Sequence, residues 1–268
     1  MHATICLRRG FWSRSMNELK RQTQFVMNME GIKGPSGPLE LHSFRDPDSV
    51  QACKAMSDKD VGGYSRSHLD WVGPDESSLR TQDAKSSDSE PTAYARFHGS
   101  ISTQLPSTRP DIERSGFAGW RTLDRGRTVF GKSLWNIDQY TYLAMRIKSD
   151  GRSYLINLQT ESLIPTDLHQ HRLFAKRPGQ WETILVKWND FVRTNHGFVV
   201  EPQAEILRQK VRSVGVGLTD RVPGPFELCI ERIWATNDER DATDSDRGLS
   251  RSSGLRSKRG EAIEWETS

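Results

Sequence analysis

From about Leu39 onward, the strongest pattern in this sequence is a series of short runs in which apolar and polar residues alternate, and these runs predict β-strands rather than helices. The clearest run is Thr141–Lys148, where every second residue from Leu143 is apolar. The segment Ser149-Asp150-Gly151-Arg152 then supplies a tight Asp-Gly turn, and a second alternating run begins at Tyr154, so this region predicts a hairpin. Similar runs are Tyr94–Ile101, Leu173–Lys176, Trp181–Trp188, Val211–Leu218 and Phe226–Trp234. Many short strands of this kind predict an all-β fold, a jelly-roll β-sandwich.

Two segments depart from this pattern and predict helices. Ser15 and Glu18 have the spacing of a capping box, so a short N-terminal helix is expected to begin there and to end by Gly31. A short surface helix is expected from Pro202 through Lys210, because Pro is favoured in a first helical turn.

The first fifteen residues contain three arginines, several hydroxyl and bulky apolar residues, and no acidic residue. This composition predicts a mitochondrial targeting segment, with an ordinary basic N terminus as the alternative. The Gly- and Pro-rich stretch Gly31–Pro38 then marks a boundary. The predicted division is a basic segment with a short helix over 1–38, a β-sandwich domain over 39–237, and a disordered tail over 238–268. A polar stretch over 74–91 predicts a disordered insertion.

Charge and cysteine content exclude several classes of protein. The formal net charge is +3, with both signs mixed along the chain, so a nucleic-acid partner is not expected. Apolar runs are all shorter than the roughly 18 residues that a membrane-spanning helix needs. Cys6, Cys53 and Cys229 are widely spaced, which argues against a disulfide framework and a zinc site and favours a reducing compartment. Cys229 is expected to be an inert core thiol.

Catalytic motifs are absent from the sequence. The Gly-x-Ser-x-Gly spacing of a nucleophile elbow does not occur, and neither phosphate-binding glycine pattern precedes a helix. Gly215 and Gly217 lie within a strand pattern, where they indicate close packing or a bulge. The sequence therefore predicts a protein that is not an enzyme and that needs no cofactor.

Two sets of side chains were weighed as metal ligands. His169 and His171 would share one face of a strand, but no further ligand lies nearby except Asp167. Loop aspartates suggest a calcium site, although turn formation is the more common role of such residues. They are Asp46, Asp48, Asp58 and Asp60. No metal site is predicted from either set.

Four groups of segments, taken in order, resemble the complex I intermediate-associated protein 30 family over roughly Leu39–Asn237. They are Met56–Gly63 with Ser65; Phe97–Thr103 followed by Gly116–Thr122; Asp190–Thr194; and Val214–Asp220 leading to Phe226–Ile230. The polar insertion over 77–90 and the C-terminal tail are not part of this shared pattern.

The resemblance implies a galactose-binding-domain-like jelly roll that acts as a chaperone in the assembly of mitochondrial complex I, the NADH:ubiquinone oxidoreductase. The implied partners are membrane-arm assembly intermediates and other assembly factors, and the implied location is the matrix side of the inner membrane, with peripheral attachment through partners. The chaperone is expected to be absent from the mature complex. No catalytic residue comes with the resemblance. The alternative is a carbohydrate-binding module, in which exposed tryptophans stack on sugars.

Five polar residues in predicted loops are candidates for contact with a partner, because loops at the edge of a sandwich commonly carry function. They are Arg193, Asn195, His196, Asp220 and Arg221. The competing interpretation is that these residues form turns and hydrogen bonds at strand ends.

Overall fold

The alternating runs do form strands in the computed structural model, which describes residues 3–27, 35, 37–73, 93–106, 109, 112, 114–162, 164 and 166–241. Its helices are α1 (Ala3–Met27) and α2 (Asp48–Gln51), and short 3-10 turns occur at Asp58–Val61, Trp188–Asp190, Arg208–Lys210 and Glu239–Asp241. The strands are β1 (Leu39–Ser43), β2 (Cys53–Ser57), β3 (Arg66–Val72), β4 (Tyr94–Ile101), β5 (Ala118–Thr122), β6 (Arg127–Thr128), β7 (Gly131–Lys132), β8 (Tyr142–Ser149), β9 (Tyr154–Thr160), β10 (Asp167–Arg172), β11 (Trp181–Lys187), β12 (Val192–Asn195), β13 (Phe198–Val199), β14 (Val211–Leu218) and β15 (Gly224–Thr236).

Two antiparallel sheets pack face to face, which confirms the predicted β-sandwich. The six-stranded sheet has the order β11-β8-β15-β4-β3, with β1 paired to the C-terminal half of β15. The seven-stranded sheet has the order β13-β12-β10-β9-β14-β5-β2. Apolar side chains from the inner faces of both sheets form one core, and Leu143, Ile156 and Val216 are fully buried in it. Burial of each such side chain contributes roughly 1.5–3 kcal/mol.

The predicted hairpin between Thr141–Lys148 and the run from Tyr154 is wrong. β8 pairs with β11 and β15 in the six-stranded sheet, whereas β9 pairs with β10 and β14 in the other. The turn at Asp150-Gly151 is present, with φ +90° at Gly151, but it carries the chain from one sheet to the other. Alternation is the same for both outcomes, since each strand buries one face in the same core.

Two further predicted elements differ in the structure. The predicted strand Leu173–Lys176 is not formed, because the backbone N–H groups of Lys176 and Arg177 donate to the buried carboxylate of Glu182 instead of to a neighbouring strand. The predicted helix Pro202–Lys210 is reduced to a 3-10 turn at Arg208–Lys210. Ile206 is buried but Leu207 is exposed, so this segment has no continuous apolar face that would hold a helix against the sandwich.

The N-terminal helix is present but begins earlier than predicted. α1 spans Ala3–Met27, so Ser15 lies in mid-helix and caps nothing. Its hydroxyl donates to the carbonyl of Phe11 and accepts a hydrogen bond from the N–H of Val129, which ties α1 to the β6–β7 hairpin. No helix of the described residues combines the length and the apolar character needed to cross a bilayer.

The predicted domain boundaries concern residues that are only partly described. β1 begins at Leu39, at the predicted start of the sandwich. Most of the Gly- and Pro-rich stretch, the polar insertion over 74–91 and the tail from 242 onward lie outside the described residues. Residues 239–241 form a 3-10 turn, where Glu239 accepts a hydrogen bond from the hydroxyl of Tyr142.

A buried carboxylate, Asp58, joins the two sheets where β2 and β3 lie side by side. It is 1% exposed, and it accepts hydrogen bonds from the N–H of Ser65 at 2.7 Å, the hydroxyl of Ser65 at 2.9 Å and the N–H of Gly116 at 2.6 Å. The Ser65 hydroxyl in turn accepts a hydrogen bond from the N–H of Ser102 at 3.0 Å, and Ser57 donates to the carbonyl of Ser65. One carboxylate therefore connects the end of β2, the start of β3, the end of β4 and the start of β5.

Two glycines make room for this carboxylate. A Cβ atom on Gly63 would lie 2.5 Å from the carboxyl carbon of Asp58, closer than any side chain tolerates. Gly116 has φ +90°, in the left-handed region that favours glycine, and so directs its N–H toward Asp58. The glycines are therefore part of the Asp58 network.

We predict that Asp58→Ala lowers the free energy of unfolding by about 3 kcal/mol or more, since it leaves several buried donors without an acceptor. Asp60→Ala is the matched control, because the exposed Asp60 carboxylate accepts the long Ser57 N–H hydrogen bond at 3.4 Å rather than several short ones. Its cost should stay below about 1 kcal/mol. Urea denaturation of the three proteins measures both values, and equal midpoints for the two variants would contradict the assignment.

Candidate functional site

The solvent-facing side of the seven-stranded sheet is called here the outer face. Along β9, buried residues alternate with half-buried Leu155, Asn157 and Gln159, which point outward. The strand register places Gln170 of β10 opposite Asn157, and Gly215 of β14 on its other side. The outer face thus presents mixed polar and apolar side chains, and the register also places the basic Lys54, Arg121 and Arg172 on it.

Three polar side chains form a hydrogen-bonded ladder across this face. The Thr194 hydroxyl donates to Gln170 Oε1 at 2.8 Å, and Gln170 Nε2 donates to Asn157 Oδ1 at 2.7 Å. The ladder spans β12, β10 and β9, so it holds two amide groups in fixed orientations at the surface. Sequence analysis did not single out these residues, although their polar character at outward positions of strands is a usable signal.

Beside the ladder, small residues of β14 form the floor of the outer face. A Cβ on Gly217 would lie 2.9 Å from Asn157 Nδ2, and a Cβ on Gly215 would lie 2.1 Å from the Trp120 carbonyl oxygen. This confirms that the two glycines permit close packing. Gly217 also leaves space for the Asn157 amide to lie against β14.

Three of the predicted contact residues lie together at one end of the outer face. Asn195 Nδ2 donates to Asp167 Oδ1 at 2.7 Å, and Arg193 Nε donates to Asp167 Oδ2 at 2.7 Å. The hydrogen bond from Asn195, with the Arg193 guanidinium, holds the pKa of Asp167 below its usual range. Arg193 and Asn195 therefore anchor the end of β12, whereas His196 lies exposed in the β12–β13 turn with φ +48°.

The other two candidates lie in the loop between β14 and β15. Asp220 accepts two hydrogen bonds from Arg152, at 3.0 Å from Nε and 2.7 Å from Nη2, in a pair whose side chains are mostly buried. Arg152 also donates to the carbonyls of Gly224 and Pro225. This arginine, which sequence analysis treated only as part of a turn, shapes the loop and leaves Arg221 exposed at its tip with φ +55°.

The structure does not bring the candidates around β12 together with those in the β14–β15 loop. Asn195 pairs with Asp167 at one end of the sheet, whereas Leu218, which leads into the Asp220 loop, pairs with Tyr154 at the other end. The seven steps from Val211 to Leu218 alone span about 23 Å. The outer face lies between the two groups.

The histidine pair does not form a metal site. His169 and His171 do share one face of β10, but that face is the inner one, where the His171 ring contacts Phe174 and Phe191. The four loop aspartates are likewise not gathered: Asp58 is occupied by its donors, and Asp46 caps the N–H of Ser49. Among the described residues, no group of three His, Cys, Asp or Glu side chains is placed to hold a metal ion.

The cysteines that the structure describes are not activated. Burial raises the pKa of Cys53 to about 12, and burial lowers the pKa of His42, whose Nε2 lies 3.4 Å from the sulfur. The pair is therefore a neutral thiol beside a neutral imidazole rather than a thiolate. Cys229 is 3% exposed, consistent with a core thiol.

The tryptophans of the sandwich do not form a sugar-binding platform. Trp120, Trp135, Trp181, Trp188 and Trp234 are buried, and the half-buried Trp71 donates its indole N–H to the Phe44 carbonyl. Stacking on a sugar requires an exposed ring face, which the five buried rings do not offer.

Comparison with known proteins supports one family. The model of the complex I intermediate-associated protein 30 family matches residues 42–230. The mitochondrial complex I intermediate-associated protein 30 of Neurospora crassa is 58% identical over 235 residues, which cover 86% of this chain and 84% of that protein. Its counterpart in Drosophila melanogaster is 24% identical over 251 residues, which cover 86% and 83% of the two chains. Among solved structures, the family 11 carbohydrate-binding module of Clostridium thermocellum is similar with a TM-score of 0.47 and 13% identity, over 76% of this chain and 97% of the module.

The buried histidine generates a pH prediction. Burial lowers the pKa of His169 in the folded state, so the unfolded chain binds its proton first, near pH 6.5, as the pH falls. His169 therefore destabilises the fold progressively below about pH 6.5, by at most about 1.4 kcal/mol per pH unit. Urea denaturation across this range should show a shallower acid loss for His169→Gln than for the wild type. His196→Gln, on the exposed turn, serves as the control, and parallel curves for wild type and His169→Gln would contradict the prediction.

Proposed function

Because the chain belongs to the complex I intermediate-associated protein 30 family, we propose that it is an assembly factor for mitochondrial respiratory complex I. The observation that carries this proposal is the family match over residues 42–230, together with the 58% identity to the Neurospora protein. The match runs from the end of β1 to the middle of β15 and includes the strands that form the outer face.

In its finer form, the proposal is that the chain holds membrane-arm intermediates together with other assembly factors and leaves before the complex is complete. It acts on the matrix side of the inner membrane and is attached peripherally through these partners. The mitochondrial names of the relatives support the compartment. The word "intermediate" in the family name supports transient binding.

We also propose that the chain acts without catalysis. The histidines of the predicted pair lie on the inner side of the sheet, and the thiol of Cys53 stays protonated. A nucleophile needs an adjacent base that is itself available, and a buried neutral imidazole beside an un-ionised thiol is a poor start for such chemistry.

The outer face is the proposed partner surface. Its amide ladder offers fixed donors and acceptors to an incoming polypeptide, and the half-buried Leu155, Leu168 and Met56 add apolar contacts. The ladder is already internally hydrogen-bonded, so little side-chain entropy remains to be lost on binding. A partner segment of eight or so extended residues would span the distance between the two end loops.

The five candidate contact residues then have two roles. His196 and Arg221 are the proposed direct contacts at the two ends of the outer face, since both side chains are exposed. Arg193, Asn195 and Asp220 position these loops through their bonds to Asp167 and Arg152.

Gln170→Arg tests this surface in a strain that lacks the native gene. The variant places a charge in the middle of the ladder, and we expect it to reduce rescued complex I activity in mitochondrial membranes by roughly tenfold, the effect of losing one central contact. Glu227→Arg is the matched control, because it introduces the same residue at an exposed position on the outside of the six-stranded sheet.

Both variants should unfold at wild-type temperatures. A deletion strain with normal complex I would contradict the assembly role itself. Full rescue by Gln170→Arg in a deletion strain that does lack complex I would contradict only the location of the surface.

A further inference from the structure

α1 and the β6–β7 hairpin form a second surface of the domain. The N–H of Val129, at the hairpin tip, donates to the Ser15 hydroxyl at 3.0 Å. The guanidinium of Arg14 lies 3.0 Å from where a Cβ of Gly126 would be, just before β6. The helix and the hairpin therefore present their outward sides next to each other.

This surface exposes five large apolar side chains, here called the tip patch. They are Trp12, Met16, Leu19, Val129 and Phe130, with exposed fractions from 45% to 60%. Successive helical residues are 100° apart, so Trp12, Met16 and Leu19 lie about 40–100° around the helix from Ser15, all on the same side of it. The three helical side chains therefore share the flank of α1 that adjoins Ser15, the residue that contacts the hairpin tip.

A cationic cleft lies at the base of the same hairpin. It has a volume of about 230 Å³, and it is lined by Arg125, Arg127, Lys132 and Arg212 with a single carboxylate, Asp124. Arg212 pairs with Asp124, and Lys132 pairs with Glu161 outside the cleft. Arg127 has no ion-pair partner among the residues that the structure describes, and its side chain is exposed.

Positive charge around the cleft is incompletely compensated. Burial, and then the nearby charge of Arg21, lower the pKa of Arg125, whose guanidinium lies 5.2 Å from the centre of the Trp135 ring. α1 itself contains five basic residues and one acidic residue, Glu18. An anionic group in the cleft would relieve this repulsion.

From this juxtaposition we propose that the β6–β7 hairpin and the exposed flank of α1 bind directly to the surface of a bilayer that contains anionic phospholipids. The tip patch enters the boundary between headgroups and acyl chains, and the cationic cleft receives a phosphate headgroup. This inference goes beyond the assembly role, because it adds a direct contact with the bilayer to the peripheral attachment through partners proposed above.

Two features favour a bilayer over a protein partner. The apolar side chains project from two convex elements, a helix flank and a hairpin tip, rather than lining a groove that a partner side chain could fill. The charges that border them are almost all positive, which matches the negative potential of a membrane surface. Long arginine and lysine side chains can also reach the headgroups while their stems stay apolar.

Vesicle flotation with the full-length chain tests the proposal. We expect the wild type to float with vesicles of phosphatidylcholine mixed with an anionic phospholipid, and to stay behind with phosphatidylcholine alone. Phe130→Asp should reduce the bound fraction about tenfold, and Arg127→Glu should reduce it to a similar degree. Val222→Asp is the matched control, because Val222 is an equally exposed apolar residue on a distant loop, and it should bind as the wild type does.

Melting followed by circular dichroism shows whether each variant remains folded. We expect Phe130→Asp and Arg127→Glu to remain folded, because both side chains are exposed. If free inorganic phosphate releases the chain from vesicles only at concentrations far above that of the lipid, the cleft binds a phosphate headgroup in a membrane rather than free phosphate. Failure of the wild type to float with anionic vesicles at low salt would overturn the proposal and leave a protein as the occupant. Wild-type flotation by Phe130→Asp and Arg127→Glu would overturn it as well.

Discussion

The buried carboxylate of Asp58 is the interaction on which the arrangement of the sandwich depends. Apolar packing holds the two sheets together without fixing their relative position, since the hydrophobic effect is non-directional. Asp58 supplies direction, because its two oxygens receive three donors from the β3 and β5 segments of the chain. Ser65 extends the network to β4 through the N–H of Ser102. The network thus fixes the position of the edge of one sheet against the edge of the other. The position of the seven-stranded sheet, and with it the outer face, depends on this contact.

Several segments that resemble the family belong to this network rather than to a binding surface. Gly63 and Ser65 surround Asp58, and Gly116 donates its N–H to it. These residues therefore identify the fold and, through the fold, the family, but they do not identify the surface that meets a partner. The proposed surface centres on the hydrogen-bonded ladder of the buried Thr194 and the half-buried Gln170 and Asn157 on neighbouring strands.

Several of the longer strands were predictable from alternation, because a strand such as Tyr154–Thr160 buries every second side chain. The sheet to which each strand belongs was not predictable, since β8 and β9 carry the same local pattern whether they pair with each other or lie in different sheets. The roles of residues that depend on tertiary contacts were equally unpredictable from the sequence. Asp58 was weighed as a calcium ligand, and Arg152 as a turn residue, because the donors and acceptors that define them come from distant parts of the chain.

The central claim is that the outer face holds an unfinished complex, and site-specific photocrosslinking inside mitochondria tests it most directly. A photoreactive residue replaces Gln170 on the outer face or Lys187 on the outside of the six-stranded sheet, and the products are separated on native gels. The account predicts crosslinks from position 170 to a subunit of a complex I sub-complex, and none to the mature enzyme. Crosslinks from position 187 alone, or from position 170 to the finished complex, would contradict it.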